Sequence, residues 1–427
     1  MFKVTSISIT GFWQSKQASS DFRDDVNIII GRNGTGKTTF MNILHAVLAV
    51  DTEALYDNAF RSVHITLSDG KRTRTIRADR AESPNSPFPA IEYHISNRRF
   101  VAPLFGGDES RTQSPTMRRR ALEEAQRIKF ELNRLVSLAS LSVYRIGGDP
   151  DPELRERVSR RYASTVDVRL ASLMQRLTQY QLELSNQARL ISSGLQRDVL
   201  TSLLYSDEKA KNPGYTMDFD ETAERQKLIS AYRQLGVSGQ DIAKKIQDHI
   251  SAFTKTVKNL KELSQPNASD TPESKRVRID LAALEAFKLT TTVVGMSLSA
   301  EEKTKTIFSQ IDLFLATLKS FVPDKTFKFQ AGELFVVTEG AIPLAKLSSG
   351  EKQLLILFIE ALLQRQQPYI FMADEPELSL HISWQRNIIS AIRSINPNAQ
   401  IIVATHSPEI AGKFKDRIVD MEDILRG

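Results

Sequence analysis

Eight residues near the start of the chain have the types and spacing of a phosphate-binding loop. The pattern G-x-x-x-x-G-K-S/T is met by Gly31-Arg32-Asn33-Gly34-Thr35-Gly36-Lys37-Thr38, and Thr39 follows it. Glycines let backbone N–H groups turn inward around phosphate oxygens, and the N-terminus of a following helix favours the same negative charge. We expect Lys37 to reach the β- and γ-phosphates of a nucleotide and the Thr38 hydroxyl to bind Mg²⁺.

A second segment with chemical potential is an apolar strand near the C-terminus that ends in two carboxylates. Residues 369–373 are apolar, and Asp374 and Glu375 follow them. A strand that delivers an acid beside a phosphate-binding loop suits a second magnesium-binding element, with Asp374 contacting Mg²⁺ directly or through water. Glu375 is then placed to orient and deprotonate an attacking water. A solvated acidic strand end is the alternative.

Two further segments fit the same chemistry. Ser348, Ser349 and Gly350 open a predicted helix, where they can form an anion-binding nest, although the same residues also suit a plain helix N-cap. The apolar run 401–404 leads through Thr405 to His406, where we expect a contact with the γ-phosphate. A structural histidine is the alternative at that position.

Strands and helices alternate around these motifs, as they do in α/β proteins. A half-buried strand over 4–9 and a buried strand over 26–30 precede the loop, and a helix over 38–50 follows it. Further strands are predicted over 63–67, 73–77, 91–95, 326–330 and 334–338. The first three of these form an antiparallel appendage to the nucleotide core. Because the alternation recurs at both ends of the chain, we predict one α/β domain that is split in sequence.

The middle of the chain, from about 115 to 265, has a helical composition rich in Arg, Glu, Gln, Leu and Ala. Apolar residues recur with 4-3-4-3 spacing in two stretches, which begin at Val166 and at Ile246. This spacing is typical of helices that pair through a heptad seam, and the short stretches favour a hairpin or bundle. Ordinary amphipathic helices in a globular insert are the alternative. Polar linkers are predicted over 206–220 and 264–273.

Composition excludes several classes of site. The 427 residues contain no cysteine, which excludes disulfides, Cys-ligated metals and a cysteine nucleophile, and six histidines make a large His-based metal site improbable. No run approaches the 18 or so uninterrupted apolar residues of a membrane span, and the N-terminus lacks the features of a signal peptide. We therefore expect a cytoplasmic protein without membrane contact. The formal net charge of +6 tilts toward acidic partners.

The four motifs, in this order, resemble those of the ATP-binding-cassette (ABC) ATPase superfamily. The loop at 31–38 matches the Walker A motif, and Asp374-Glu375 matches Walker B. Leu347 to Glu351 is similar to the LSGGQ-type signature, with Ser349 in place of the first Gly and Glu351 in place of Gln. His406 matches the switch histidine, and Leu380-His381 the D-loop region.

The resemblance implies an α/β fold, an ABC-type P-loop ATPase head that is split in sequence by a helical, coiled-coil-like insertion. Residues 1–110 would form the N-terminal lobe with Walker A, and 111–298 the mainly helical insertion. Residues 299–427 would form the C-terminal lobe with the signature, Walker B and the switch histidine. The implied ligands are ATP and Mg²⁺, with Thr38 and Asp374 at the metal. For the adenine ring, Phe12 or Trp13 is a candidate stacking partner.

In this superfamily two heads close over two ATP molecules, and the signature of one head contacts the γ-phosphate held by the other. The resemblance therefore implies a homodimer or a higher homo-oligomer, with Ser348 and Gly350 acting in trans across a two-fold interface. Closure would exclude water and add hydrogen-bond donors around the transferred phosphoryl group.

Several details resemble one branch, the SMC/RecF/OLD-like group (the AAA_15 and AAA_21 types). Roughly 300 residues separate Walker A from the signature, against roughly 100 in transporter cassettes. Asp374-Glu375-Pro376-Glu377 is followed by Leu380-His381 and then Trp384, a pattern usual in that group. OLD nucleases carry a Toprim domain after the ATPase, whereas only about 20 residues follow His406 here, so we expect none. The chain is similar to the ATPase subunits of antiphage systems such as Septu and PARIS, which implies a separately encoded effector, often a nuclease.

A DNA-repair or DNA-maintenance ATPase of the RecF or SMC kind is the alternative. It would contact duplex DNA through arginines, and a solvated basic face is the plainer interpretation of these residues. The candidates are Arg72, Arg74, Arg77, Arg80, Arg98, Arg99, Arg118, Arg119 and Arg120.

Overall fold

The computed structural model describes residues 1–82, 89–105, 115–141, 165–202, 220–234, 239–263, 280–337, 341–377 and 380–426. The proline-rich turn before residue 89 and both predicted polar linkers lie almost entirely outside these ranges.

The chain divides into two compact units. The first contains Met1–Tyr180 and Ile311–Gly427, and the second contains Gln181–Gln310. The sequence placed the start of the insertion at residue 111, whereas the first unit of the structure continues to 180. Two contacts tie later residues to this unit: the short strand Leu138–Leu141 pairs at the edge of the sheet that carries the candidate site, and Asp167 forms an ion pair with Lys352 at 2.8 Å.

A five-stranded parallel sheet forms the centre of the first unit. Its strands are β3 (Val26–Ile30), β8 (Leu138–Leu141), β12 (Tyr369–Asp374), β13 (Ala399–Ala404) and β14 (Ile418–Asp420). The spatial order is β14-β3-β13-β12-β8, and every neighbouring pair runs parallel. All six residues of β13 are buried. Such continuous apolar runs are expected where both faces of a parallel sheet are covered.

The first unit also contains a seven-stranded antiparallel sheet. Its strands are β1 (Lys3–Phe12), β2 (Lys16–Asp21), β4 (Ser62–Ser68), β5 (Thr73–Glu82), β6 (Pro89–Ile95), β7 (Arg98–Pro103) and β15 (Leu425–Arg426). Their spatial order is β15-β2-β1-β4-β5-β6-β7. The sequence predicted β1, β4, β5 and β6 but not β2. In β2 only Ala18 is buried, so the strand has no apolar alternation to reveal it.

Helix α1 (Lys37–Ala49) joins both sheets in one apolar core. Its Phe40, Ile43 and Leu44 belong to the same buried cluster as Ile65 of β4 and Met372 of β12.

One buried side chain also ties the two sheets together by hydrogen bonds. The Gln400 amide of β13 accepts a bond from the Val4 N–H (2.8 Å) and donates to the Val4 carbonyl (2.6 Å) and the Arg23 carbonyl (2.7 Å). Because each buried polar atom here has a partner, the amide stabilises the junction between the sheets.

The other described elements complete the two units. A small antiparallel sheet contains β9 (Thr326–Gln330), β10 (Glu333–Val337) and β11 (Ala341–Ile342). The remaining helices are α2 (Thr52–Asp57), α3 (Pro115–Asn133), α4 (Thr165–Ser202), α5 (Glu221–Gln234), α6 (Gln240–Leu263), α7 (Leu281–Phe321), α8 (Ser349–Leu363), α9 (Ile382–Gln385), α10 (Ile388–Ile395), α11 (Pro408–Ala411) and α12 (Met421–Ile424).

The second unit is helical. Ile246 and Ile250 of α6, part of the predicted second seam, are buried in a cluster with Leu228 of α5 and Val294 of α7. Sequence spacing suggested that this seam would pair with the stretch that begins at Val166. The partners of α6 in this cluster are instead α5 and α7.

Among the described residues, α7 is the one helix long and apolar enough to cross a membrane by length and composition alone, with 17% of its most apolar window buried. A single helix of this kind is weak evidence for a span. Part of its apolar surface packs within the second unit, where Phe287 stacks on Phe253 with ring centroids 3.6 Å apart.

Candidate functional site

Three of the predicted motifs meet at one edge of the parallel sheet. β13 lies between β3 and β12, with Ala404 paired to Ile29 on one side and to Asp374 on the other. The phosphate-binding loop, Glu375 and His406 each follow the carboxyl end of one of these strands. Because parallel strands end at the same edge, the fold alone brings the segments together, at the place where open α/β sheets bind ligands.

Gly36 gives the loop its close approach to the first β-hairpin. Its φ of 98° is in the left-handed region, and a Cβ there would lie 2.9 Å from the Trp13 ring and 3.1 Å from the Phe12 ring. Any larger residue would therefore be strained and would also collide with an aromatic side chain.

Lys37 lies inside the loop rather than on its surface. Its side chain is 4% exposed, and its ammonium donates to the carbonyl oxygens of Gly31 (2.9 Å) and Arg32 (3.0 Å). Burial lowers the pKa of Lys37, and the nearby carboxylates of Glu375 and Asp374 oppose that shift. The loop thus places a cation next to the N-terminus of α1, and both of them favour a bound anion.

Thr38 and Asp374 form the candidate metal site. The Thr38 hydroxyl hydrogen-bonds to the Asp374 carboxylate, whose Oδ1 atom is buried and has no hydrogen-bond partner among the described residues. Burial raises the pKa of Asp374, and the neighbouring Glu375 adds to the effect, while Thr38 and Lys37 act against it. A divalent cation would satisfy the unpartnered oxygen and would favour the ionised form.

These residues fit Mg²⁺ in number as well as in kind. The described residues contain no group of three or more His, Cys, Asp or Glu side chains that could hold a metal. Mg²⁺ usually takes only one or two protein carboxylates and completes its shell with phosphate oxygens and water.

Glu375 and His406 face each other across the ends of β12 and β13. The Glu375 carboxylate lies 3.4 Å from Nε2 of His406, and both side chains are about one-third exposed. Glu375 has a φ of 48°, which is unfavourable for a residue with a side chain, and its N–H donates to the Ala404 carbonyl at 2.8 Å. That bond holds the strained residue against β13, with its carboxylate near the loop.

The signature segment is built as a helix N-cap. Ser348 and Glu351 form a capping box, in which the Ser348 hydroxyl accepts from the Glu351 N–H (3.3 Å) and Glu351 accepts from the Ser348 N–H (2.9 Å). Lys325 donates to the same Glu351 carboxylate at 2.5 Å. Burial alone would raise the pKa of Glu351, but the bonds from Lys325 and Ser348 together bring it below its usual value. These partners all lie outside the phosphate-binding loop.

The residues of the signature differ in access. The side chains of Ser348 and Ser349 are exposed, while Gly350 and Glu351 are buried. Glu351, which stands where the signature has Gln, therefore faces Lys325, and the two serines are left at the surface. Lys325 could not be identified from sequence spacing, because it lies 26 positions before Glu351.

The two candidate adenine partners are not equivalent. Phe12 is fully buried, so it cannot stack on a base. Trp13 is 38% exposed and lies against Gly36, with the Lys16 ammonium 5.6 Å from its ring centroid. Of the two, only Trp13 is accessible for a nucleotide base.

Most of the arginines that could contact DNA already have partners. Arg80 donates to the carbonyls of Leu55, Tyr56 and Asn58 at the end of α2, which is a structural role. Ion pairs are formed by Arg77 with Asp79, Arg98 with Glu131, Arg99 with Glu92 and Arg119 with Glu123. Arg72 and Arg74 are exposed on or beside β5, Arg120 is exposed on α3, and the side chain of Arg118 lies outside the described residues.

Glu377 is a site residue that sequence reasoning did not identify. It follows Pro376 in the turn after β12, and its Oε1 atom accepts a hydrogen bond from the backbone N–H of His406 at 2.9 Å. The acidic run around it gave no signal for this role, because the contact depends on β12 and β13 being neighbours.

Solved structures with some likeness to the chain include a Smc head domain of Pyrococcus furiosus bound to the C-terminal domain of ScpA. That structure has a TM-score of 0.43 and 13% identity, and the alignment covers 98% of this chain and 93% of that one. At this level the superposition is loose.

Two curated relatives are named as ATPases. "Retron Ec83 probable ATPase" of Escherichia coli is 34% identical over 106 residues, or 21% of this chain and 20% of the relative. "Retron Vc95 probable ATPase" of Vibrio cholerae serotype O1 biovar El Tor is 26% identical over 220 residues, or 48% of this chain and 39% of the relative. The aligned part of the chain thus spans well under half the length of either relative.

A family model also matches most of the chain. It is AAA_21, described as "AAA domain, putative AbiEii toxin, Type IV TA system", and it matches residues 26–412. That range includes the phosphate-binding loop, the signature segment, Asp374, Glu375 and His406. The expected resemblance to the SMC/RecF/OLD-like ATPases is confirmed, and the chain belongs to the AAA_21 family.

Proposed function

We propose that the protein binds ATP with Mg²⁺ and hydrolyses it at the carboxyl edge of the parallel sheet. One observation carries the proposal: a buried lysine, the Thr38–Asp374 pair and the Glu375–His406 pair meet there. This set can bind phosphates, hold a metal and accept a proton from water, which are the needs of phosphoryl transfer.

Each residue has a role that follows from its position. Lys37 would exchange its bonds to the Gly31 and Arg32 carbonyls for bonds to phosphate oxygens. Bound Mg²⁺ would be held by Thr38 and Asp374 and would neutralise charge on the β- and γ-phosphates. Glu375 would orient the attacking water and accept its proton, and His406 would donate a hydrogen bond at the γ-phosphate.

Removal of the metal tests this proposal. We expect purified protein to release phosphate from ATP in the presence of Mg²⁺ and to lose at least about 100-fold in rate with EDTA, because the metal supplies several kcal/mol of charge stabilisation. Phosphate release is measured with and without the chelator, and Mg²⁺ added back in excess should restore it. Equal rates in both conditions would contradict the proposal.

We also propose that two heads complete each site. In support, the exposed Ser348 is the N-cap of the 15-residue helix α8, and its hydroxyl accepts a hydrogen bond from Glu351 in the first turn of the same helix. Ser348 and Gly350 of one head would add donors around the γ-phosphate held by another. The catalytic unit would then be a head-to-head homodimer or a larger homo-oligomer.

The dimer gives a prediction for Ser348→Arg. We expect nucleotide affinity within about 3-fold of wild type, because the hydrogen-bond partner of the Ser348 hydroxyl is Glu351 of its own helix. Hydrolysis should fall about 100-fold, because an arginine would keep the signature of that head away from the γ-phosphate held by the other head. Mixing this variant with an inactive Lys37→Ala chain should restore part of the activity, since each mixed dimer retains one intact composite site. Wild-type hydrolysis by Ser348→Arg alone would count against action in trans.

For the biological role, we propose a sensor or scaffold subunit of a bacterial antiphage system that controls a separately encoded effector. Two relatives named as retron ATPases and a family description that names a toxin–antitoxin system support this reading. A stable complex with the product of a neighbouring gene, toxic when expressed alone, is the expected result.

DNA repair or maintenance is the second candidate, and the exposed Arg72 and Arg74 are the observation in its favour. DNA affinity that falls steeply with salt would support it. Because Arg77, Arg98 and Arg99 are paired with carboxylates, phosphate neutralisation by this surface is weakened, and we favour the effector-control role.

A further inference from the structure

The turn after β12 is clamped to the turn after β13 through one carboxylate oxygen. Oε1 of Glu377 accepts hydrogen bonds from the Thr405 hydroxyl (2.7 Å), the His406 N–H (2.9 Å) and the Ser407 N–H (3.2 Å). The three donors belong to consecutive residues. Hydrogen bonds to an ionised acceptor are roughly twice as strong as neutral ones, so this clamp fixes the backbone on both sides of His406.

The residues beside His406 are held from other directions as well. The Ser407 N–H also bonds to the Thr405 hydroxyl (2.9 Å), and the Ser407 hydroxyl donates to the Gln385 amide oxygen (2.7 Å). The His406 imidazole is the freer part of this turn, and it lies 3.4 Å from Glu375. The backbone clamp therefore sets where the imidazole can lie.

We infer that Glu377 is a positioning residue, which holds His406 in register with Glu375 at the nucleotide site. The inference rests on the proposed function, because it assigns Glu377 a task in ATP hydrolysis. Glu377 acts through His406 and not on the substrate, since the oxygen that faces this turn already accepts three bonds. Its second oxygen, Oε2, is buried and has no hydrogen-bond partner among the described residues.

Two substitutions separate positioning from direct chemistry. Glu377→Ala removes the acceptor, so the His406 N–H loses its partner and the Ser407 N–H keeps only the Thr405 hydroxyl. Glu377→Gln instead keeps a carbonyl oxygen in place of Oε1. We expect kcat to fall about 100-fold in Glu377→Ala, since small misplacements near the chemistry have effects of that size, with KM for ATP within about 3-fold. Glu377→Gln should retain at least about one-tenth of the wild-type kcat.

A readout without nucleotide tests the clamp itself. In protein labelled with ¹³C- and ¹⁵N-histidine, the His406 ring signals can be assigned by their loss in His406→Asn. We expect these signals to shift and broaden in Glu377→Ala and to keep their wild-type positions in Glu377→Gln. Glu123→Ala, which removes an exposed carboxylate paired with Arg119 on α3, is the control and should leave turnover and ring signals unchanged.

The outcomes divide clearly. Wild-type kcat or unchanged His406 signals in Glu377→Ala would overturn the inference. So would a Glu377→Gln variant that is as inactive as Glu377→Ala but keeps the wild-type His406 signals. Glu377 would in that case act directly on the ligand. If Glu377→Ala does not fold, Thr405→Val removes one of the three donors to Glu377, together with the hydroxyl that accepts from the Ser407 N–H. It should lower kcat by roughly 3- to 10-fold with a smaller shift of the ring signals, and no change in either would overturn the inference. If the wild-type protein hydrolyses no ATP, the proposed function fails separately, and the ring signals still report on the clamp.

Discussion

Glu375→Gln should bind ATP and Mg²⁺ with near wild-type affinity but hydrolyse ATP at less than about one-hundredth of the wild-type rate, because a general base typically contributes 10²- to 10⁴-fold. The amide has nearly the shape of the carboxylate and can still orient a water, but it cannot accept the proton. Affinity is expected to persist because Lys37, Thr38 and Asp374 are unchanged. The loss should therefore appear in kcat and not in KM for ATP.

The same variant should also accumulate as a closed dimer. If hydrolysis opens the heads, a chain that binds ATP without hydrolysing it remains in the closed state. Light scattering after size exclusion with ATP and Mg²⁺ would measure this, with Glu301→Gln, an exposed glutamate of the second unit, as the matched control. Wild-type turnover in Glu375→Gln would remove Glu375 from the mechanism, and a monomer with ATP bound would argue against head-to-head closure.

Local patterns were sufficient to predict the strand that leads into the glycine-rich loop and the helix that follows it. The buried run at 26–30 coincides with β3, and the helix expected from residue 38 begins at Lys37. The loop pattern is local, because the glycines and the lysine act through backbone geometry within a few residues. Elements that depend on such local patterns can be predicted from sequence alone.

Features that depend on strand adjacency could not be predicted in this way. Spacing along the chain does not indicate that β13 lies between β3 and β12. The hydrogen bonds of Glu377 to the turn at His406, and the approach of His406 to Glu375, could therefore not be predicted from sequence. The four residues of β8 were hidden for a related reason. A short apolar strand after a long helix has no periodicity of its own, and its identity comes from pairing with β12.

Electrostatics at the site link the metal residues to the loop lysine. Burial lowers the pKa of Lys37 and raises the pKa of Asp374. Because the two groups carry opposite charges when ionised, each opposes the pKa shift of the other. Four carboxylates, those of Glu375, Asp374, Asp420 and Glu377, act on Lys37, and this excess of negative charge by itself would disfavour a polyphosphate. A divalent cation would correct this imbalance, and nucleotide and metal should therefore bind cooperatively.

Lys37→Ala is the substitution with the largest expected effect on binding. It removes the only buried ammonium of the loop, and charge-assisted hydrogen bonds of this type contribute about 1.5–3 kcal/mol each, so we expect ATP affinity to fall at least about 100-fold. The carboxylates of Asp374 and Glu375 would then face the phosphates without the lysine between them, which adds repulsion. Titration with a fluorescent ATP analogue in Mg²⁺ would measure the loss.

A matched control variant and a measurement without nucleotide make this prediction specific. Lys328→Ala removes an exposed lysine of β9 and should leave affinity unchanged. In the absence of nucleotide, Lys37→Ala also frees the Gly31 and Arg32 carbonyls, so the loop should exchange its amide hydrogens faster than in wild type. Wild-type affinity in Lys37→Ala would mean that the loop does not hold the phosphates, and the assignment of the site would fall with it.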